Sequence, residues 1–500
     1  MKTTTDRPNI VIINPDQMRW DYLTPAGHPF ISTSNLSRLA EMGTYFTHAF
    51  CASPMCGPSR VSVVTGQYPC EHRVRNYGGT MHQARPNMLT TLREAGYHRA
   101  LFGKDHIIRE NAIGILYDEG EDICIGNMDN HPDYHFSWSS GVLASESPWN
   151  LTERLTTAGL ECLERCAKSR QPFLITMNYQ DPHPYFTCPE PYASLFSPDQ
   201  FELPPNFRSE PGENEIARIT LWRQHSRSLE ADEEDLKKAM AMYCGQIRYV
   251  DDQLGRVLDR LEHLKLLDRT IVIFWSDHGE FLGDYGVTHK MPAFYDSLVR
   301  VPLMVWDPTD TLPRGRFHHL VELMDVFAAM LDILEVPQPD GSRAYSLLTP
   351  NYEPRTDVYA EGGLYIQPPR EPIAGLNLRA PFGPTQYGPG VMLRTPAWKL
   401  CVYSCDRGEL YDLKNDPAEC HNLYDNPHYA SQRMKLTERL LQRQLCQGQA
   451  PEHLLPSVLD NISGQGYPIW CNMPEILRIE RGDDNPDFLR VARKNSTISA

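Results

Sequence analysis

The chain has 500 residues, of which 41% are hydrophobic, 22% charged and 10% aromatic; these values fit a soluble globular protein and exclude a disordered chain or a coiled coil. Its 64 acidic against 48 basic residues give a formal charge of −16, which argues against nucleic acid or an anionic membrane as a partner and means that any bound anion needs a locally positive pocket. The length predicts two to three domains, and no apolar run approaches the roughly 18 residues of a membrane span.

The first residues, Met1-Lys2-Thr3-Thr4-Thr5-Asp6-Arg7-Pro8, carry no apolar leader stretch. With 13 cysteines, an odd number in no repeating frame, this predicts a cytoplasmic protein whose thiols are mostly reduced. In chain order, continuous apolar runs at residues 9–13, 99–102, 173–178, 270–275 and 302–306 predict strands buried on both faces. A helix is predicted over residues 232–264. Its apolar positions Leu236, Met240, Tyr243, Ile247, Val250, Leu254, Val257 and Leu261 step by three and four, and Asp232, Glu233, Glu234 and Asp235 crowd the first turn, where the helix dipole favours anions. Strands alternating with helices predict an α/β fold with a large, mostly parallel central sheet flanked by helices.

Pro and Gly cluster from residue 362 to 389 and predict a long loop. Beyond it, short strands at 392–395, 398–403 and 409–413 and a helix near 429–445 predict a smaller antiparallel subdomain. The expected organisation is an α/β domain over 1–390, a small α+β subdomain over 391–450 and a polar, irregular extension over 451–500. That extension is a candidate to wrap the main domain or a neighbouring subunit of a homo-oligomer.

Four polar clusters each follow directly on a predicted strand: Asp16-Gln17, Lys104-Asp105-His106, Asp181-Pro182-His183 and Asp277-His278. One such cluster is an ordinary polar loop. Four of them at one edge of an open α/β sheet, where ligands bind beyond the carboxyl ends of the strands, point to a site. A fifth element is Cys56-Gly57-Pro58-Ser59-Arg60. Pro58 suits a first helical turn, which puts Cys56 at a helix N-terminus that favours negative charge, with Arg60 one turn on along the same face. A cysteine taken at random is more often a buried, inert residue. His72, Arg73 and Arg75 read as plain surface charge.

Cys56-Gly57-Pro58-Ser59-Arg60, continuing to Thr65-Gly66, resembles the signature of the sulfatases. Gly96-Tyr97 through Gly103-Lys104-Asp105-His106 resembles that family's second signature, departing from it at Arg99 and Asp105. Ser276-Asp277-His278-Gly279-Glu280, with Gly283-Asp284 and Lys290, resembles its metal- and sulfate-binding segment. The stretch from Trp398 through Glu409-Leu410-Tyr411-Asp412-Leu413 to Asp416-Pro417 resembles its C-terminal subdomain. The resemblance spans roughly residues 8–425 and joins four ordered motifs. It implies an alkaline phosphatase/sulfatase-like fold and a sulfuric ester hydrolase that releases an alcohol and inorganic sulfate.

The resemblance further implies that a maturation enzyme oxidises Cys56 to formylglycine, the nucleophile. One divalent cation would be held by Asp16, Gln17, Asp277, His278 and an oxygen of the modified Cys56. Hard oxygen donors favour Ca²⁺ or Mg²⁺, and the imidazole admits Mn²⁺. The cation would act as a Lewis acid, with Asp277 taking the proton of the attacking hydroxyl. Arg60 would hold the hydrated aldehyde. Lys104, His183 and Lys290 would neutralise the sulfate oxygens, and His183 or Lys290 would protonate the leaving alcohol. His106 would be the base of the second step. Asn76 falls where related hydrolases contact the transferred group, and His289 is given no role.

The alcohol half is open among aryl sulfate, choline sulfate, a sulfated sugar and a glycosaminoglycan fragment, with residues 365–389 and the tail expected as pocket walls. A phosphonate monoester or phosphodiester hydrolase of the same superfamily is the alternative. It shares the Asp-Gln and Asp-His pairs but lacks the counterparts of Lys104 and His106, which tilt the reading toward sulfate. A catalytically silent binding protein on the same scaffold is the third reading.

Overall fold

The computed structural model describes residues 7–76, 79–123, 138–208, 212, 215–363, 388–404 and 406–447. The expected pocket walls at 365–389, apart from residues 388 and 389, and the extension at 451–500 lie outside the described residues.

Eight strands form the main sheet: β1 (Asn9–Pro15), β2 (Thr44–Phe46), β3 (His98–Gly103), β4 (Glu119–Asp122), β5 (Phe173–Tyr179), β6 (Thr270–Trp275), β7 (Leu303–Trp306) and β8 (Gly315–Phe317), in the order β8-β2-β7-β6-β1-β5-β3-β4. The block β6-β1-β5-β3-β4 is parallel throughout. β7 pairs antiparallel with both of its neighbours. The five predicted apolar runs are all strands of this sheet, and four of them make up most of the parallel block.

Their continuous hydrophobicity has a direct cause. Ile10 and Ile12 of β1 belong to one buried core, and Val11 and Ile13 to a second one on the other face of the sheet. Ile271 and Ile273 of β6 divide from Val272 and Phe274 in the same way. Successive side chains of a strand point to opposite faces, so a strand covered on both faces must be apolar at every position. Each such residue contributes about 1.5–3 kcal/mol of transfer free energy.

Four helices matter to the site and its support: α1 (Cys56–Thr65), α2 (Leu151–Cys166), α3 (Glu233–His263) and α4 (Ala430–Gln447). α3 begins one residue inside the predicted span because Asp232 is its cap, accepting from the Asp235 N–H at 2.8 Å. Its stripe of Val250, Leu254, Val257 and Leu261 sits in the second core. No helix among the described residues is long and apolar enough to cross a membrane.

A second sheet is antiparallel and joins β9 (Val358–Gly362), β10 (Gly390–Arg394), β11 (Trp398–Tyr403) and β12 (Glu409–Asp412) in that order. It is tied to the main fold by charge. The fully buried Lys399 ammonium lies 2.6 Å from both Asp296 and Glu419, and Arg394 reaches Asp296 at 3.2 Å. The segment just after Asp296 then accepts, through the carbonyls of Ser297 and Leu298, the backbone N–H groups of Glu280 and Gly279 at 3.1 and 2.8 Å.

Candidate active site

β1 lies between β6 and β5, with Ile13 opposite Phe274 and Asn14 opposite Asn178. Parallel pairing brings the carboxyl ends of these strands level, so the residues that leave them emerge side by side. Asp16 and Gln17 leave β1, Lys104 to His106 leave β3, Asp181 to His183 follow β5, and Asp277-His278 follow β6. Gln17 takes a left-handed turn with φ of 67°, which lets its N–H donate to Asp277 Oδ1 at 3.2 Å. α1 starts at Cys56, with all ten of its residues buried. Its N-terminus is fixed to the β6 exit by Ser59 Oγ, which donates to the Asp277 carbonyl at 2.6 Å.

Arg60 ties three of these exits together. Its Nε donates to Asp277 Oδ2 at 2.8 Å, its Nη2 to Asp16 Oδ2 at 3.3 Å and its Nη1 to the Lys104 carbonyl at 2.9 Å. The planar fork of a guanidinium suits such a junction. The Lys104 ammonium lies 2.8 Å from Asp16 Oδ2 and 3.9 Å from Cys56 Sγ. His278 Nδ1 is 2.9 Å from the Gly279 carbonyl and donates to it, which leaves the Nε2 lone pair facing Cys56 Sγ at 3.1 Å. Cys56 Sγ is also 3.5 Å from Asp16 Oδ1 and hydrogen-bonded to His106.

The ligand atoms of Asp16, Cys56, Asp277 and His278 all lie within 4.8 Å of one another, and the four residues are buried. The two carboxylates and the imidazole, whose tautomer is fixed by the Gly279 carbonyl outside the cluster, form a donor set that fits a divalent cation.

The electrostatics follow from the mixture. Burial alone would raise the Asp16 carboxyl, but Lys104, His183, Lys290 and Arg60 hold it well below the usual carboxylate range. Burial and Asp16 oppose ionisation of the Cys56 thiol, yet Lys104, Lys290 and His278 hold it well below the usual thiol range. Burial lowers His278, and Asp277 and Cys56 more than offset this and raise it. Burial and the Lys104 charge lower His106, and burial and Lys290 lower His183 well below the usual imidazole range. Lys104, Lys290 and Arg60 thus concentrate positive charge where the chain as a whole is acidic.

His183 is buried, its Nδ1 sits 2.5 Å from the Pro184 carbonyl, and its Nε2 has no hydrogen-bond partner. Lys290 Nζ donates to Gln17 Oε1 at 2.5 Å. Asp181, from the same predicted cluster as His183, is occupied elsewhere. Its carboxylate accepts from Thr152 at 2.6 Å and Gln246 at 2.9 Å, and burial pushes it up to about 6. Asp105 turns back on its own loop, where Oδ2 accepts from the Ile107 and Ile108 N–H groups at 3.0 and 3.1 Å. Asn76 Oδ1 is buried with no hydrogen-bond partner.

Two residues join the cluster without having been assigned a part in it. The Gln17 Nε2 donates to Glu280 Oε2 and lies 3.3 Å from His289 Nδ1, and the His289 ring meets that of His183 edge-on at 5.0 Å. In the sequence His289 is marked by its adjacency to Lys290, and Glu280 lies inside the Ser276–Glu280 motif. His72 departs from the surface-charge expectation. It is buried, with Nε2 2.9 Å from Ser62 Oγ and Nδ1 accepting from the Val74 N–H at 3.1 Å.

A family model described as Sulfatase matches residues 8–336. The chain belongs to the sulfatase family. A second model, described as N-sulphoglucosamine sulphohydrolase, C-terminal, matches residues 386–445 of this sulfatase. The sulfatase is 26% identical over 453 residues to a choline-sulfatase of Rhizobium meliloti, covering 85% of this chain and 84% of that one. Among solved structures it resembles a phosphonate monoester hydrolase of Agrobacterium radiobacter, with a TM-score of 0.71 at 24% identity over 88% of this chain and 96% of that one. It also resembles a protein solved with its substrate D-glucosamine-2-N,6-O-disulfate, with a TM-score of 0.71 at 21% identity over 88% and 98% of the two chains. The expected α/β architecture is that of the family, and the sulfatase is a sulfuric ester hydrolase.

Proposed function

We propose that this sulfatase cleaves the sulfate ester of a sulfated sugar, using an aldehyde made from Cys56 and one divalent cation. The observation that carries the reading is the convergence of Asp16, Cys56, Asp277 and His278 within 4.8 Å, with Lys104 at 3.9 Å from the same sulfur. The match of residues 386–445 to an N-sulphoglucosamine sulphohydrolase C-terminal model supports a sugar as the alcohol half, as does likeness to a protein solved with a sulfated glucosamine.

Asp16, Asp277, His278 and position 56 would hold the cation, and Gln17 Oε1, which already accepts from Lys290, has a second lone pair to offer. When bound, the cation supplies Lewis-acid polarisation and lowers the pKa of a neighbouring hydroxyl. Oxidation of Cys56 replaces sulfur by oxygen as the attacking atom. Arg60 is a positioning residue, since its three hydrogen bonds fix the Asp16 and Asp277 carboxylates and the Lys104 backbone.

Lys104 and Lys290 neutralise the sulfate oxygens. His183 Nδ1 donates to Pro184, so the neutral ring presents a lone pair at Nε2. Arrival of an anion raises its affinity for a proton, so that Nε2 takes one up from solvent with the substrate and passes it to the leaving oxygen. His106, kept neutral by burial and Lys104, is able to take a proton in the step that releases sulfate.

The test is a panel of an aryl sulfate, choline sulfate, sulfated mono- and disaccharides and a phosphonate monoester on one metal-replete preparation, combined with mass spectrometry of the Cys56 peptide. The expected outcome is the aldehyde at position 56 and the highest kcat/KM on a sulfated saccharide. A far higher kcat/KM on the phosphonate replaces this reading by the phosphonate hydrolase one. An unmodified thiol from a host with maturation machinery, together with no turnover on any ester, leaves a binding protein.

A further inference from the structure

At the edge of the main sheet opposite to the candidate active site, four side chains of metal-binding type meet. His98 opens β3 and Glu119 opens β4, and the two strands run parallel with Ala100 opposite Glu119. Both residues therefore stand at the amino edge, while Lys104 and His106 leave β3 at the other end. Six residues at about 3.3 Å each separate His98 from Lys104, or about 20 Å. α2 packs against β3 and β5 and carries Cys162 and Cys166 in its last turns. A spacing of four puts both sulfurs on one helix face.

The distances describe a cluster. His98 Nε2 is 2.8 Å from Glu119 Oε1, Cys162 Sγ is 3.4 Å from the same oxygen, and the two sulfurs are 3.9 Å apart. All four ligand atoms lie within 4.8 Å of one another. We propose that His98, Glu119, Cys162 and Cys166 form a second metal site, suited to Zn²⁺, distinct from the cation site at Asp16 and Asp277.

Three features support it. The ligand number and types match a four-coordinate zinc site, and two thiolates on one tetrahedral ion with Zn–S bonds of about 2.3 Å stand about 3.8 Å apart. The charge is matched as well. Two thiolates and a carboxylate around a dication leave one negative charge, and Arg165 Nη2 stands 2.7 Å from the second Glu119 oxygen. Access comes from the side of the imidazole and carboxylate, since the two cysteines are buried whereas the His98 and Glu119 side chains are 28% and 34% exposed. An ion can enter past the imidazole and carboxylate and displace the thiol protons to solvent.

Softness separates the two sites. Sulfur and imidazole select zinc, whereas the carboxylates at the other edge suit a harder cation. The zinc would clamp β3 and β4 to α2 and so brace, from behind, the strand that delivers Lys104 and His106.

The experiment uses the full chain carrying Cys56→Ala, which removes the other thiol that sits in a metal-capable cluster among the described residues, purified reduced and metal-free and titrated with Co²⁺. The expected result is a thiolate-to-cobalt charge-transfer band with tetrahedral d–d bands, saturating at one equivalent and bleached by Zn²⁺. The bands should persist in Asp277→Asn and vanish in Cys162→Ser/Cys166→Ser. No thiolate band at stoichiometric cobalt, or bands that survive the double serine change, overturns the proposal. Should that variant fail to fold, His98→Ala at a part-exposed position takes its place. A Zn²⁺ affinity weaker by at least the roughly 10–100-fold that loss of a supporting partner costs is expected, and an unchanged one removes His98 from the ligand set and sinks the site as stated.

Discussion

His278 Nε2 stands 3.1 Å from Cys56 Sγ, joining the exit of β6 to the first residue of α1 across 222 positions of sequence. Neither residue has this neighbour unless the sheet is formed, so the proposed cation would bind only the folded chain and would favour it. His278→Ala should weaken the cation by about 10–100-fold or more and lower kcat/KM, with partial recovery in excess metal. Asp277→Asn should lose both affinity and rate without that recovery. Calorimetric metal titration beside a rate measurement checks both, and treatment of the native enzyme with chelator should reproduce the loss reversibly.

Cys56→Ala should remove turnover by about 10³-fold or more, because it deletes the proposed attacking group. The fold should survive, since the side chain is small and α1 keeps the Ser59 hydroxyl on the Asp277 carbonyl. The check is single-turnover sulfate release beside the thermal unfolding curve. Full activity in this variant would remove position 56 from the chemistry.

Arg60→Lys is expected to behave differently. A single ammonium is unable to serve Asp16, Asp277 and the Lys104 carbonyl at once. Leaving a buried carboxylate without its partner costs about 3–5 kcal/mol. This variant should therefore lose stability and activity together, where Cys56→Ala loses activity alone. Denaturant unfolding of the two proteins side by side distinguishes them.

His72 predicts a pH dependence of stability. Burial, reinforced by Arg85, lowers its pKa to about 3, against about 6.5 in an unfolded chain. Between those values the unfolded chain binds one proton more than the folded one, so stability falls as the pH drops below about 6.5. Protonation also forfeits the bond in which Nδ1 accepts from the Val74 N–H. His72→Gln should flatten the fall between pH 4 and 6 by about 1.4 kcal/mol per pH unit. Denaturant midpoints across that range provide the measurement, and an unaltered slope contradicts the assignment.

Much of this architecture is written in the sequence because burial on both sheet faces leaves a plain signature. Runs such as Ile10-Val11-Ile12-Ile13 have no polar position, and the polar pair Asp16-Gln17 follows the strand almost at once. Convergence of the exits then follows from parallel pairing alone. The direction of β7 was not legible, because an apolar run reads the same in either sense. His289 and Glu280 escaped for another reason: they act through the Gln17 amide, and a hydrogen bond between loops distant in sequence leaves no periodicity. Asp181 shows the converse, a carboxylate in a site-like cluster whose partners Thr152 and Gln246 come from α2 and α3.

The Lys399–Asp296–Glu419 contact bears on how this protein can be dissected. The carbonyls just after Asp296 hold the backbone of Gly279 and Glu280, immediately beyond His278. A chain cut between β9 and β10 would strand a buried Asp296 carboxylate and slacken the loop that carries two of the proposed cation ligands. The two segments are thus one cooperative object, and an expression fragment ending near residue 390 would be a catalytic domain in name only.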